Sequence, residues 1–105
     1  MKAILIDPKE RTVSEVDYDG DWRNISKLID CDLFSCVYIP KDDSIYVDDE
    51  GLYRENQSFF KWSTYDSPLA GKALILGTND EGESIACTHT VEEVKQNVKW
   101  MVYIK

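Results

Sequence analysis

The stretch Pro68-Leu69-Ala70-Gly71-Lys72-Ala73-Leu74-Ile75-Leu76-Gly77 opens on a turn residue, carries an apolar run and closes on glycine. Ala73, Leu74, Ile75 and Leu76 are consecutive and apolar, a pattern that suits a strand covered on both faces. Gly71 and Gly77 mark its ends, where the chain must turn or another backbone must come close. The stretch reads as the central strand of a small sheet. It is not a phosphate-binding loop. Asp66 stands where that loop needs its first glycine, and Ala73 stands where it needs a hydroxyl after the lysine.

Working outward, residues 58–65 are dense in aromatics and suit a strand. Residues 33–39 and 44–48 read as a hairpin turning at 40–44. Asp49-Glu50-Gly51 turns again, and residues 52–57 fit either a short helical turn or a loop. Near the start, residues 2–6 and 11–18 form a hairpin around Asp7-Pro8-Lys9-Glu10, where proline presets the backbone and Asp7 can bond the amides ahead. Asp21 is placed to cap a helix over 22–29, with Trp22, Ile25, Leu28 and Ile29 forming its apolar stripe.

Beyond the central strand, Asn79-Asp80-Glu81-Gly82-Glu83 makes a tight acidic turn, and a short strand follows at 84–87. Thr90-Val91-Glu92-Glu93 is a capping box opening a helix whose apolar side is Val91, Val94 and Val98. Residues 99–104 read as a last strand. The implied fold is α+β: one domain over 1–105, with a mainly antiparallel sheet of about six strands and two helices packed on it.

The chain has 105 residues, 12 of them basic and 20 acidic, for a net charge of −8. Such a field repels nucleic acid and anionic lipid, so neither direct nucleic-acid binding nor membrane association is expected. The natural complement is a protein with a basic surface. Four apolar residues before Asp7 are too few for a signal peptide, and no run approaches a membrane span, so a cytoplasmic location is expected. Three cysteines, an odd number, argue against a secreted disulfide framework.

Four groups of residues invite a chemical reading. Asp42, Asp43, Asp48, Asp49 and Glu50 could bind Mg²⁺ or Ca²⁺ and activate water, although their spacing matches no EF-hand loop and acids in hairpin turns are usually solvated. Cys31, Cys36, Cys87 and His89 are of the right type for zinc, but their spacing is loose for a structural site. Cys36, beside Phe34 and Tyr38, is expected to point into a core. His89 could serve Cys87 or Cys36 as a base, yet no orienting partner stands near it in sequence. Tyr46, Tyr53, Phe59, Phe60, Trp62 and Tyr65 divide between core and a protein interface rimmed by acid. No cofactor is called for.

Asp48-Asp49-Glu50-Gly51-Leu52, the stretch from Pro68 to Gly77, Glu81-Gly82 and the opening Met1-Lys2-Ala3-Ile4-Leu5-Ile6-Asp7-Pro8 together resemble a short family of uncharacterised domains. Its members occur mainly in bacteriophage, prophage and plasmid genomes. The resemblance implies a context: small acidic proteins of mobile elements often act by binding a host or phage protein. It assigns no catalytic residue.

The expected function is therefore a non-enzymatic acidic interaction protein of phage or mobile-element origin. Its target would be a host or phage protein, such as a defence or nucleic-acid-handling factor, and DNA mimicry is one form of it. The interaction residues are Asp42, Asp43, Asp48, Asp49, Glu50, Tyr53, Trp62, Asp80, Glu81 and Glu83. The alternative is a metal-dependent hydrolase built on Asp42, Asp43, Asp48, Asp49 and Glu50. A homodimer through an exposed strand edge is a third arrangement.

Overall fold

The computed structural model describes residues 1–53 and 57–101. Its axis is β7 (Ala73–Thr78), which pairs antiparallel with β1 (Lys2–Asp7) on one side and β4 (Asp43–Asp48) on the other. Ile75 stands between Ile4 and Ile45. Strand alternation sends Ala73 and Ile75 into one core and Leu74 and Leu76 into another, and all four are fully buried. The continuous apolar run thus does what its pattern implies.

The main sheet runs β2 (Thr12–Asp17), β1, β7, β4, β3 (Phe34–Ile39), and β8 (Ser84–Ile85) joins β7 at Gly77 and Thr78. A second sheet runs β6 (Leu69–Ala70), β5 (Phe59–Trp62), β9 (Val98–Met101). The helices are α1 (Arg23–Leu28) and α2 (Val91–Asn97), and a 3-10 turn spans Gly51–Tyr53. One core joins Ile4, Ile6, Ile45 and Val47 of the main sheet to Phe60 and Trp62 of the small sheet and Val94 of α2. The other sets Ala3, Tyr18, Leu74 and Leu76 against Ile25 and Ile29.

The α+β class and the antiparallel pairing hold, but the strands divide between two sheets. The aromatic run supplies only Phe59–Trp62, because Tyr65 N–H turns back to Trp62 O at 3.0 Å. Phe60 and Trp62 then face inward, so this strand covers the main sheet instead of extending it. The closing strand begins at Val98, one residue earlier than expected; residues 102–104 lie outside the described residues.

The first helix is shorter than 22–29. Asp19 Oδ1 accepts Asp21 N–H at 2.9 Å and Asp21 Oδ1 accepts Arg23 N–H at 3.1 Å. These two short turns hold the entry outside the helix. Trp22 takes the N-cap position, 65% exposed, and leaves the apolar stripe to Ile25, Leu28 and Ile29. The second helix begins as read: Thr90 Oγ1 accepts Glu93 N–H at 3.1 Å, and Glu93 Oε1 accepts Thr90 N–H at 3.0 Å. Among the described residues no helix is long and apolar enough to cross a membrane.

Candidate functional site

Register decides which acidic turns meet. Asp43 at the start of β4 pairs with Gly77 near the end of β7. The turn before β4 and the turn after β7 therefore share one end of the main sheet, and Thr78 N–H donates to Asp42 O at 3.0 Å. Asp42, Asp80, Glu81 and Glu83 are all exposed there. Tyr38, on β3, is 80% exposed. A shallow groove of about 240 Å³ runs between Tyr38, Ile39, Asp42, Ser44, Thr78 and Asp80.

The first of these turns is under tension. Ile39 pairs with Asp43, so the turn is residues 40–42, and Lys41 and Asp42 within it have φ of 69° and 59°, in the left-handed region that favours glycine. Such a conformation costs of order 1 kcal/mol or more at a residue with a side chain. Neighbours hold it in place. Thr88 Oγ1 donates to Lys41 O at 2.9 Å, and Lys41 Nζ pairs with Glu93 of α2.

The other candidates lie elsewhere. Asp48 ends β4, roughly 17 Å from Asp43 at strand rise, and Asp49 and Glu50 follow it. Asp49 and Glu50 are exposed, as is Tyr53 at 88%, whereas Asp48 is buried and accepts Glu50 N–H at 3.0 Å. The five carboxylates of the metal reading thus belong to opposite ends of one strand. Among the described residues no group of three or more His, Cys, Asp or Glu could hold a metal ion. Trp62 is not on the surface: it is 1% exposed and fills the core between the sheets. Among the described residues its Nε1 has no hydrogen-bond acceptor.

Asp43 is also interior, and it meets a residue that sequence reading did not join to it. Its Oδ2 lies 2.5 Å from His89 Nδ1, with the two side chains 0% and 4% exposed. The same carboxylate accepts His89 N–H at 3.0 Å and Thr88 N–H at 3.0 Å from each oxygen. A carboxylate only accepts, so Nδ1 carries the proton and Asp43 sets the imidazole tautomer. The Trp62 ring meets the imidazole edge-on, centroids 5.7 Å apart. Gly77 makes room for this arrangement. A Cβ there would sit 2.6 Å from Ala86 O and 3.3 Å from Asp43 Oδ1.

The pair fastens β4 to the segment entering α2. The contact has the form of the orienting half of a nucleophilic triad. Cys87 Sγ donates to the backbone oxygen of His89 at 3.6 Å, and burial pushes its thiol up to about 11. Cys36 is exposed on β3, not in a core, and Cys31 follows α1. The physical reason is coverage. Phe34 and Tyr46 pack beside α1, but a six-residue helix does not reach as far as Cys36 and Tyr38. A signal for the buried pair existed in sequence: an aspartate opening a strand otherwise led by Ile45 and Val47, and the chain's single histidine.

Comparison with known proteins places this fold in a family. A relative in Sinorhizobium fredii (strain NBRC 101917 / NGR234), the Uncharacterized protein y4iR, is 31% identical over 77 residues, 70% of this chain and 47% of the relative. The chain thus spans about half the length of that relative. No solved structure matches. Residues 1–99 match the family described as Domain of unknown function (DUF3846). That match takes in both cores, the acidic end and the Asp43–His89 pair, and the chain belongs to the DUF3846 family.

Proposed function

We propose that this protein is a non-enzymatic acidic binding protein of phage or mobile-element origin, and that it occupies a basic surface on a host or phage protein. The observation that carries the reading is the meeting of Asp42, Asp80, Glu81 and Glu83 at one end of the main sheet beside the exposed ring of Tyr38. Exposed carboxylates each contribute little affinity, about 1 kcal/mol or less per pair. Together they speed encounter with a cationic surface and reject anionic ones. Tyr38 supplies the apolar contact that charge alone lacks. The mobile-element origin rests on the sequence resemblance. In the mimicry form, these carboxylates take the place of phosphates on a protein that handles nucleic acid.

The test is an affinity pull-down of tagged protein from bacterial lysate at low and high salt, with and without duplex DNA as competitor. One dominant partner, lost at high salt and lost again from a variant carrying Asp42→Asn, Asp80→Asn, Glu81→Gln and Glu83→Gln, is the expected result. A partner held regardless of salt and DNA rejects mimicry. A partner retained by the four-site variant moves the surface away from this end.

A further inference from the structure

A binding protein must also hold what it attracts, and the main sheet offers a means. β3 is an edge strand: β4 lies on one side of it, and among the described residues no strand lies on the other. Alternate residues of an edge strand point both N–H and C=O outward, so about three of its six residues present unpaired backbone groups. Proteins usually blunt such edges with lysine, proline or a bulge. Phe34-Ser35-Cys36-Val37-Tyr38-Ile39 contains no charge and no proline. It pairs with β4 without interruption from Phe34–Asp48 to Ile39–Asp43. Of the other edges, β6 and β8 are only two residues long, and β2 and β9 are guarded. β2 carries Glu15 and Asp17 and lies against α2, and β9 carries Lys99.

We infer that β3 is an acceptor edge for strand addition, and that its occupant is an extended, lysine- or arginine-bearing segment of the partner protein. The inference rests on the binding reading above and names the partner's form. Charge complementarity selects this occupant. Exposed Asp32 and Asp49 flank the start of β3, and Asp42 and Asp80 flank its end. Lys41, in the same turn, is already engaged by Glu93. A second copy of the chain brings another −8 to the edge, whereas a basic segment is drawn to it. In an added strand, every second side chain falls on the face of exposed Cys36 and Tyr38. A cationic side chain at its end reaches the groove between Asp42 and Asp80 and the ring of Tyr38.

The experiment uses three fluorescent octapeptides of alternating sequence: Lys-Val, the same peptide fully N-methylated on its backbone, and Glu-Val. Anisotropy reads binding to the full chain, and amide hydrogen exchange reads where it occurs. Lys-Val should bind, with amides of 34–39 gaining protection. The N-methylated form keeps its charge but loses its ladder donors, and should bind roughly tenfold more weakly or worse. Glu-Val should not bind. Cys36→Lys places a cation on an exposed edge position without entering a core, and should weaken Lys-Val binding while the fold is retained.

Equal binding of the two lysine peptides overturns strand addition and leaves the acidic binding reading intact. Protection on 12–17 instead of 34–39, or no binding of Lys-Val, also overturns it. A dimer by light scattering, with 34–39 protected before any peptide is added, gives the edge to a second copy. The binding reading fails separately, if no lysate partner is captured at either salt.

Discussion

Asp43 holds three separate groups at one point of the fold. Its carboxylate satisfies two backbone amides and one ring nitrogen, all at 3.0 Å or less, in a place without solvent. Truncating it strands three donors at once. Removing one partner of a buried pair costs about 3–5 kcal/mol, a large part of the roughly 5–15 kcal/mol a domain has. Asp43→Ala should therefore lower the unfolding free energy by that amount, read as a lower urea midpoint at an unchanged slope. A loss below about 1 kcal/mol would mean that water takes over the three bonds. The same residue looked in sequence like one member of an acidic turn. The local mark that separates Asp43 from Asp42 is its place in phase with Ile45 and Val47, which does not say what the carboxylate meets. The difference arises because Asp42 faces outward at a left-handed turn position, and Asp43 opens the strand beside Gly77.

At the scale of elements, the start of α2 was legible and its electrostatic anchor was not. Four residues encode the capping box, since both bonds are local. The Lys41 partner of Glu93 comes from 52 positions away, across the fold. The Lys41 ammonium, and then the Thr90 amide, hold the Glu93 carboxyl at about 2, well below its ordinary 4.5. A depressed carboxyl stabilises the folded state above its unfolded value. That contribution is complete above about 4.5 and is lost as pH falls through about 2. Glu93→Gln should therefore flatten the fall in thermal stability between those two pH values, followed by circular dichroism. Superimposable curves for the variant and the parent would show that the ion pair does not form in solution.

At the scale of the whole molecule, the two faces of the main sheet are covered unequally. The small sheet and α2 pack over one, and among the described residues the other is covered by the six residues of α1 and the segments beside it. The thiols report the difference. Cys36 is exposed, so a thiol reagent at pH 8 should modify it in the native protein. Cys87 is 5% exposed, and at about 11 its thiol is roughly one part in a thousand thiolate at that pH. It should label only as the chain unfolds, along a urea series read by mass spectrometry of the peptides. Equal labelling of the two in native buffer would show that the core between the sheets opens.

Local pattern set the axis of the fold, because four consecutive apolar residues between glycines need cover on both faces wherever they sit. It determined the hairpins and the cap of α2, which depend on residues within a few positions of each other. Long-range packing is what makes Phe59–Trp62 leave the main sheet to roof it, turns Cys36 and Tyr38 outward, and brings Asp43 to His89 from 46 positions away. Periodicity tells that a residue has a face to bury. Which element covers that face, and where it stops, is set by long-range pairing and by the length of the covering element. That unequal cover leaves Cys36 and Tyr38 of β3 exposed, Tyr38 beside the acidic turns.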